Sequence, residues 1–308
     1  MKLVRRIDSA ALPTDGCVLT IGNYDAVHIG HQQILKRLRD KANAIKQPVV
    51  VMTFDPHPEE YFLADRSTPR LTNLSSRYFA LRDNGVDVML LLPFNKKLAT
   101  TTAEEFIQRY LVDALKVRYL LVGDDFQFGK NRQGDFEMLQ AAAAAKGFEV
   151  ENTDTVLFQQ ERVSSTRIRT LLTEGEMNLA ATLLGRRYFM SGKVIQGQQL
   201  GRQWGFPTLN LAVNYKPAIT GVFAVNVKGL GGSSLPGVAN LGTRPTVNGL
   251  TTLLEVHLFD FDRLVYGQRI CVEFIEKIRN EKKFASFDAL KTQIMRDAAT
   301  AKAMLEVR

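Results

Sequence analysis

From residue 16 to about residue 160, near-continuous apolar runs alternate with amphipathic stretches along the chain. "GCVLTIGN" predicts a strand, "HQQILKRLRDKANAI" an amphipathic helix, and "QPVVVMTFDP" a second strand. The alternation continues through "SSRYFALRDNG" (helix), "VDVMLLLPF" (strand), "TAEEFIQRYLVDAL" (helix), "VRYLLVGDDF" (strand), "DFEMLQAAAAAKG" (helix) and "FEVENTDTV" (strand). Strands that are apolar on both faces and separated by helices predict a parallel sheet covered on both sides, an α/β fold. The run Ala141 to Ala145 fits a helix of strong formers, ended by Gly147.

Beyond "SSTRIRTLLTEGEMNLAATLLGR" the texture changes. From Tyr188 to about Phe274, glycine, β-branched and aromatic residues rise, and short alternating runs recur: "RYFMSGKVI", "GVFAVNVKG", "TLLEVHLFDF", "QRICVEFIEKI". Turn signals such as "GLGGSS", "VNG" and "YGQ" separate them, which predicts a small antiparallel β-barrel. The tail, "SFDALKTQIMRDAATAKAML", predicts a C-terminal helix with Ser286 as N-cap and Asp288 in its first turn. The domain boundary falls near residue 185, giving residues 1–185 and 186–308, and no internal repeat is visible.

Composition narrows the picture modestly. A chain of 308 residues suits two ordinary domains, and an apolar share of 45% is enough to bury a core in each. No segment approaches the roughly 18 uninterrupted apolar residues of a membrane span. The start, "MKLVRRIDSAALPTDG", has basic residues with no apolar stretch behind them, unlike a signal peptide. Only Cys17 and Cys271 are present, each in a strand-like run, so a reducing cytoplasm is the expected location. The formal charge of +8 suits anionic partners, but the charges are scattered singly and in pairs over helix-like stretches.

Chemistry concentrates first in "GNYDAVHIGH", where a strand meets a helix. Gly22 and Gly30 permit close backbone approach, and a helix N-terminus offers N–H groups and a positive dipole end. His28 and His31 there read as a phosphate grip, as packing or cap histidines, or as metal ligands. With four histidines in the chain and only His57 of "FDPHP" as a conceivable third ligand, metal is the weakest of the three. "RVSSTRIR" opens a second helix with Ser164, Ser165 and Thr166 flanked by Arg162, Arg167 and Arg169. Those residues form either an ordinary cap with surface arginines or a clamp for a triphosphate.

The second concentration is "SGKVIQGQQLGRQWGFPTLNL", with Gly192, Gly197, Gly201 and Gly205. It is not a Walker loop, and glycines at this frequency also suit bulges and turns of a barrel. Thr208 and Asn210, two apart on a strand, share a face and offer oxygen ligands for Mg²⁺. Glu255 in "TLLEVHLFDF" is a carboxylate in an alternating strand, either solvent-facing or a general base for a hydroxyl attacking a γ-phosphate. His257 shares its strand face and receives no role.

The two motifs of the first half resemble the HxGH nucleotidylyltransferase superfamily. With "FDPHP" and "VGDDFQFGKNRQGD" added, the first half looks like the adenylyltransferase portion of the bacterial bifunctional riboflavin kinase/FMN adenylyltransferase family. The second half resembles that family's kinase domain in "GFPTLNL", "PGVANLGTRPTV", "LEVHLFDF", "VYGQRI" and "IRNEKKFASFDALKTQI". The resemblance implies a parallel-sheet, Rossmann-like domain followed by a barrel kinase domain. It implies that His28 and His31, with Gly22 and Gly30, contact ATP phosphates, and that Arg162, Ser164, Ser165 and Thr166 hold the triphosphate. Phe54, Asp55 and Pro56, with Asp125, Phe126 and Phe128 of the Gly123–Gly129 loop, would line the FMN pocket. In the kinase half, Gly192, Gly197 and Gly201 would close over ATP, Thr208 and Asn210 would hold Mg²⁺, Glu255 would be the base, and Arg279 would border the flavin. The implied partners are ATP, riboflavin and FMN, with neither nucleic acid nor membrane and no particular oligomer.

Some positions depart from the family pattern. Tyr24 and Ala26 stand where phenylalanine and glycine are usual, Leu209 where alanine is, and Trp204 where smaller residues are common. The Tyr24 ring is retained, whereas the Ala26 methyl costs ~1 kcal/mol if the backbone there has positive φ. Leu209 is expected to point away from Thr208 and Asn210 and so to affect packing. The competing expectations are a chain with only one working module, a nucleotidylyltransferase for another phosphate ester, and a basic RNA-binding barrel. The last would need Lys/Arg clusters interleaved with aromatics, which the strands lack.

Overall fold

Burial on both faces makes the first sheet. In this computed structural model the strand Cys17–Ile21 is buried at every position, and Val49–Asp55 at its first five. Described are residues 1–63, 66, 68–197, 206–246 and 249–306, without the side chains of 243–246 and 249–251. The six strands of the first sheet are β1 (Lys2–Val4), β2 (Cys17–Ile21), β3 (Val49–Asp55), β4 (Val88–Pro93), β5 (Val117–Gly123) and β6 (Glu149–Thr153). Their order is β1-β4-β3-β2-β5-β6, and every pairing is parallel. After β2 the chain builds outward through β3 and β4, then returns to the other side of β2 with β5. That reversal makes the crevice at the carboxyl ends of β2 and β5 a topological switch point, where ligands of such sheets bind.

The helices of this half are α1 (Ile29–Ile45), α2 (Pro58–Leu63), α3 (Leu74–Asp83), α4 (Lys96–Ala99), α5 (Ala103–Phe106) and α6 (Phe136–Lys146). Gly147 ends α6 at φ +76°, as the sequence predicts, and Asp135 caps its start through the Met138 amide. The single helix expected from "TAEEFIQRYLVDAL" is divided. A Thr102/Glu105 capping box starts α5, which runs into a π-helical stretch, Ile107–Ala114. That stretch buries Ile107, Tyr110 and Leu111 under the sheet. The small hairpin β7 (Leu157–Phe158) and β8 (Glu161–Arg162) follows β6.

The second sheet is antiparallel throughout: β9 (Phe189–Lys193), β10 (Leu209–Val213), β11 (Gly221–Lys228), β12 (Leu235–Thr246), β13 (Gly249–Leu258) and β14 (Arg269–Arg279). Its order is β10-β13-β12-β11-β14-β9. The ends approach one another, because the Ile195 amide just after β9 donates to the Asn210 carbonyl of β10 at 2.8 Å. The sheet is therefore nearly a closed barrel. The C-terminal helix, Phe287–Glu306, packs on it, with Ala301 fully buried among Val222, Ala224, Val238 and Phe259. Ser286 caps that helix by accepting from the Ala289 amide at 3.2 Å, as expected.

By packing, the chain separates into two compact units. One comprises Met1–Thr68 and Arg77–Val163, the other Pro69–Ser76 and Ser164–Arg308. The helices α7 (Ser165–Glu174) and α8 (Met177–Leu184) group with the second unit. The expected division at 185/186 follows the change in sequence texture instead.

Candidate active sites

The loop that leaves β2 is fixed by unusual backbone. Tyr24, Ala26 and Val27 have φ of +49°, +77° and +46°, and all are buried. Ala26 thus carries its methyl in the left-handed region, the strained situation anticipated for this position. The Tyr24 ring lies 4.6 Å from that of His31, centroid to centroid. Its hydroxyl shares a 2.7 Å hydrogen bond with Thr20, and burial raises the phenol's pKa against the opposing effect of that bond. The hydroxyl absent from a phenylalanine therefore ties the loop back to β2.

His28 is the N-cap of α1, and its Nδ1 accepts from the His31 amide at 3.3 Å. A neutral imidazole that accepts at Nδ1 carries its proton on Nε2, the form that donates to a phosphate oxygen. The two imidazoles stack with centroids 3.7 Å apart. A Cβ on Gly30 would meet the His28 ring at 3.2 Å, so glycine is what allows that ring to lie over the first turn. One on Gly22 would meet the Tyr24 ring at 3.3 Å. His57 is directed elsewhere: its Nε2 faces Arg77 Nη1 at 2.8 Å. Because a guanidinium only donates, that nitrogen accepts and does not take a cation. Among the described residues no group of three His, Cys, Asp or Glu is arranged for a metal ion.

Beyond β3 the "FDPHP" turn contains a cis Asp55–Pro56 peptide, and Phe54 is half-buried. Phe54 meets Phe94 edge-on at 5.8 Å, and Tyr61 and Phe62 of α2 meet Phe94 at 5.4 and 5.8 Å. Phe62 remains 64% exposed, so these rings form an apolar platform open to solvent. The sequence reading passed over Tyr61, Phe62 and Phe94; adjacent aromatics after "FDPHP" were the available signal. On the β5 loop, Phe126 stacks on Phe128 at 5.6 Å, and Phe128 is itself buried in the core of the sheet. Gly129, at φ +74°, leaves no room for a Cβ against the Ala103 backbone, which seats this loop on α5. Arg162 on β8 donates to Asp125 at 3.1 Å and lies 3.5 Å from Asp124, so two residues expected to serve different substrates meet.

In the second unit, Ser164 caps α7 by accepting from the Arg167 amide at 3.2 Å, while Ser165 and Thr166 form its first turn. The cap reading of Ser164 is thus observed, and Thr166 is exposed at the positive end of the helix dipole.

The barrel places its polar residues by register. Asn210 of β10 stands opposite Glu255 of β13, and Asn240 of β12 stands opposite Glu255 on the other side. Cross-strand partners share a face, so the three form one polar row; Asn240 is a member that sequence reasoning did not single out. Asn210 is buried and donates Nδ2 to the Thr208 carbonyl at 3.3 Å. A Cβ on Gly197 would meet that Nδ2 at 2.5 Å, so only glycine admits the carboxamide. A cavity of about 60 Å³ is lined by Gly197, Pro207, Thr208, Asn210 and the 261–266 loop. Leu209 is also among the residues around that cavity, while along β10 it pairs with Val256 and Asn210 with Glu255, so these two alternate in face as expected. Thr208 precedes the strand, so strict alternation does not extend to it. Gly192 lies in β9, where a Cβ would meet the Leu211 side chain at 3.1 Å, and Gly201 and Trp204 lie outside the described residues.

Arg279, expected beside the flavin, points its fork at Asp297 of the C-terminal helix. Nε and Nη2 donate to the carboxylate at 3.0 and 2.7 Å, and Gln293 also donates to it at 2.8 Å. Asp297 is buried, and the Arg279 guanidinium lies 5.8 Å from the Phe284 ring.

Comparison with known proteins covers both halves. The model of a family described as FAD synthetase matches residues 11–167, and that of riboflavin kinase matches residues 184–305. The bifunctional riboflavin kinase/FMN adenylyltransferase of Haemophilus influenzae is 47% identical over 304 residues, spanning 98% of this chain and 99% of that protein. The protein of the same name from Escherichia coli (strain K12) is 46% identical, spanning 98% and 97%. That of Pseudomonas fluorescens is 45% identical, spanning 99% and 98%. A solved structure described as a macrolide-efflux protein from Streptococcus pneumoniae is 28% identical, with a TM-score of 0.77 over 98% of this chain and 99% of that one.

Proposed function

Because the chain belongs to the bifunctional riboflavin kinase/FMN adenylyltransferase family along nearly its whole length, we propose that its two polar constellations divide that family's two reactions between them. The chain is an enzyme of flavin cofactor synthesis. It transfers the γ-phosphoryl group of ATP to riboflavin, giving FMN and ADP, and then joins FMN to the AMP moiety of a second ATP, giving FAD and pyrophosphate.

For adenylyl transfer, the FMN phosphate attacks the α-phosphorus of ATP and pyrophosphate departs. Both reactants arrive as anions, so positioning and neutralisation carry the rate, with little nucleophile activation needed. His28, through Nε2–H, and His31 bind the phosphates at the α1 N-terminus, with Gly22 and Gly30 allowing the approach. Arg162, Ser164, Ser165 and Thr166 are assigned to the triphosphate, and Ser164 acts by shaping the turn it caps. Phe54, Asp55, Pro56, Asp125 and Phe126 are assigned to FMN together with Tyr61, Phe62 and Phe94, while Phe128 supports Phe126 from the core. What carries this half of the reading is the placement of the histidine loop and the "GDDF" loop at one switch point.

For the kinase step, Glu255 accepts the proton of the ribityl hydroxyl that attacks the γ-phosphorus. The chemistry of the donor set suits Mg²⁺: Asn210 directs Nδ2 at a carbonyl and so presents Oδ1, and Thr208 adds a hydroxyl. Bound there, Mg²⁺ would offset phosphate charge. Gly192, Gly197 and Gly201 border the ATP, and Arg279 shapes the flavin side through its bond to Asp297. The functional division is assigned to 185/186, and a cytoplasmic location accords with two cysteines in no disulfide. Among the described residues no helix is long and apolar enough to cross a membrane.

A chromatographic time course with riboflavin, ATP and Mg²⁺ tests the assignment. The wild type should yield FMN and then FAD. A His28→Ala/His31→Ala variant should stop at FMN, and Glu255→Gln should convert only supplied FMN. Failure of the histidine variant to make FMN, or of Glu255→Gln to convert supplied FMN to FAD, with the fold retained, would reject the division.

A further inference from the structure

We infer that Arg77 is a positioning residue for adenylyl transfer, joining the histidine loop to the "FDPHP" turn and holding His57 as the neutral Nδ1–H tautomer. The inference rests on the proposed assignment of those two loops to ATP and FMN. Arg77 lies on α3 and is completely buried. One of its nitrogens, Nη1, is 2.8 Å from the Asn23 carbonyl, 2.8 Å from His57 Nε2 and 3.3 Å from Thr53 Oγ1. That nitrogen has two hydrogens, which serve the two short contacts, one on each loop. Thr53, within β3, also donates to the Asn23 carbonyl at 3.3 Å.

Arginine stays charged and has no acceptor, so the ring nitrogen that meets it must be unprotonated. An imidazolium at His57 would place two cations 2.8 Å apart and is excluded by this geometry. Packing alone does not explain such a residue. A buried guanidinium is costly, and an apolar side chain of similar volume serves a core at least as well. What an apolar side chain lacks is the power to hold acceptors from two separate loops at fixed distances. The histidine loop needs such a hold, since Tyr24, Ala26 and Val27 keep it in sparsely populated backbone conformations.

The test uses the full-length enzyme, with FMN formation serving as an internal control for FAD formation. The variants are Arg77→Met, Arg77→Lys, His57→Leu and His57→Gln, whose Oε1 can accept where Nε2 does. Arg77→Met should raise KM for both FMN and ATP in adenylyl transfer roughly tenfold or more, leaving the kinase step at the wild-type rate. His57→Leu should raise KM for FMN, and His57→Gln should restore most of it. Wild-type KM values in Arg77→Met, or a lower kcat alone that tracks thermal unfolding, would overturn the inference. If the arginine variants fail to fold, equal behaviour of His57→Leu and His57→Gln would overturn it. The underlying site assignment fails separately, through a His28→Ala/His31→Ala variant that still makes FAD.

Discussion

In the first unit a loop turns through left-handed Tyr24, Ala26 and Val27 to present His28, and a buried arginine on another element restrains it. In the second unit Asn210 and Glu255 stand opposite each other on paired strands whose ladder already fixes them. A loop site needs braces from elsewhere because its backbone has few bonds of its own. A strand site inherits its precision from register, since a slip by one residue would turn every side chain to the other face. Loop sites should therefore fail gradually when a brace is weakened, and strand sites abruptly when a polar member of the row is changed.

The largest effect should come from the row. Glu255→Gln is expected to lower FMN formation by roughly 10²–10⁴-fold, leaving conversion of supplied FMN to FAD intact, as initial rates of each step will read. Removing His28 and His31 together should lower FAD formation from supplied FMN by roughly 10²–10³-fold, with the kinase step unchanged. Equal losses from single and double histidine variants would indicate that the stacked rings act as one unit. Asp297→Ala, which leaves Arg279 without its carboxylate, should destabilise the second unit by ~3–5 kcal/mol in denaturant titration. Gly197→Ala should displace the Asn210 carboxamide and raise the kinase KM for ATP roughly tenfold, because a Cβ there falls 2.5 Å from Nδ2. Smallest is Ala26→Gly. Release of left-handed strain less the added freedom of the unfolded chain leaves a gain of about 0.5 kcal/mol in the first unit. A loss instead would mean that the methyl's packing outweighs its strain.

Much of this was readable in the chain. The core strands of the first unit declared themselves because both faces are buried, and His28, Thr208 and Glu255 stood out because their chemistry is rare in such surroundings. β12 did not: Pro236, Gly237, Gly242 and Pro245 look like a loop. Yet a Cβ on Gly237 would come within 2.5 Å of the His257 carbonyl, so the glycine marks close approach within a sheet. The π-helical turn was hidden because its period differs from the 3.6 residues that a pattern search assumes. Arg77 was indistinguishable from the surface arginines of an amphipathic helix, since burial of a charge is decided by tertiary contacts. Asn240 gained meaning only from its register with Glu255, and for Arg279 it was the bond to the distant Asp297 that the sequence did not show.

The bond from the Ile195 amide to the Asn210 carbonyl closes the barrel at a residue assigned to the kinase site. Closure and site assembly are then a single opening equilibrium, so exchange of the Ile195 amide with deuterated solvent should report the fraction of molecules whose kinase site is formed. One proton, far down the chain from Glu255, would serve as a clock for catalytic competence.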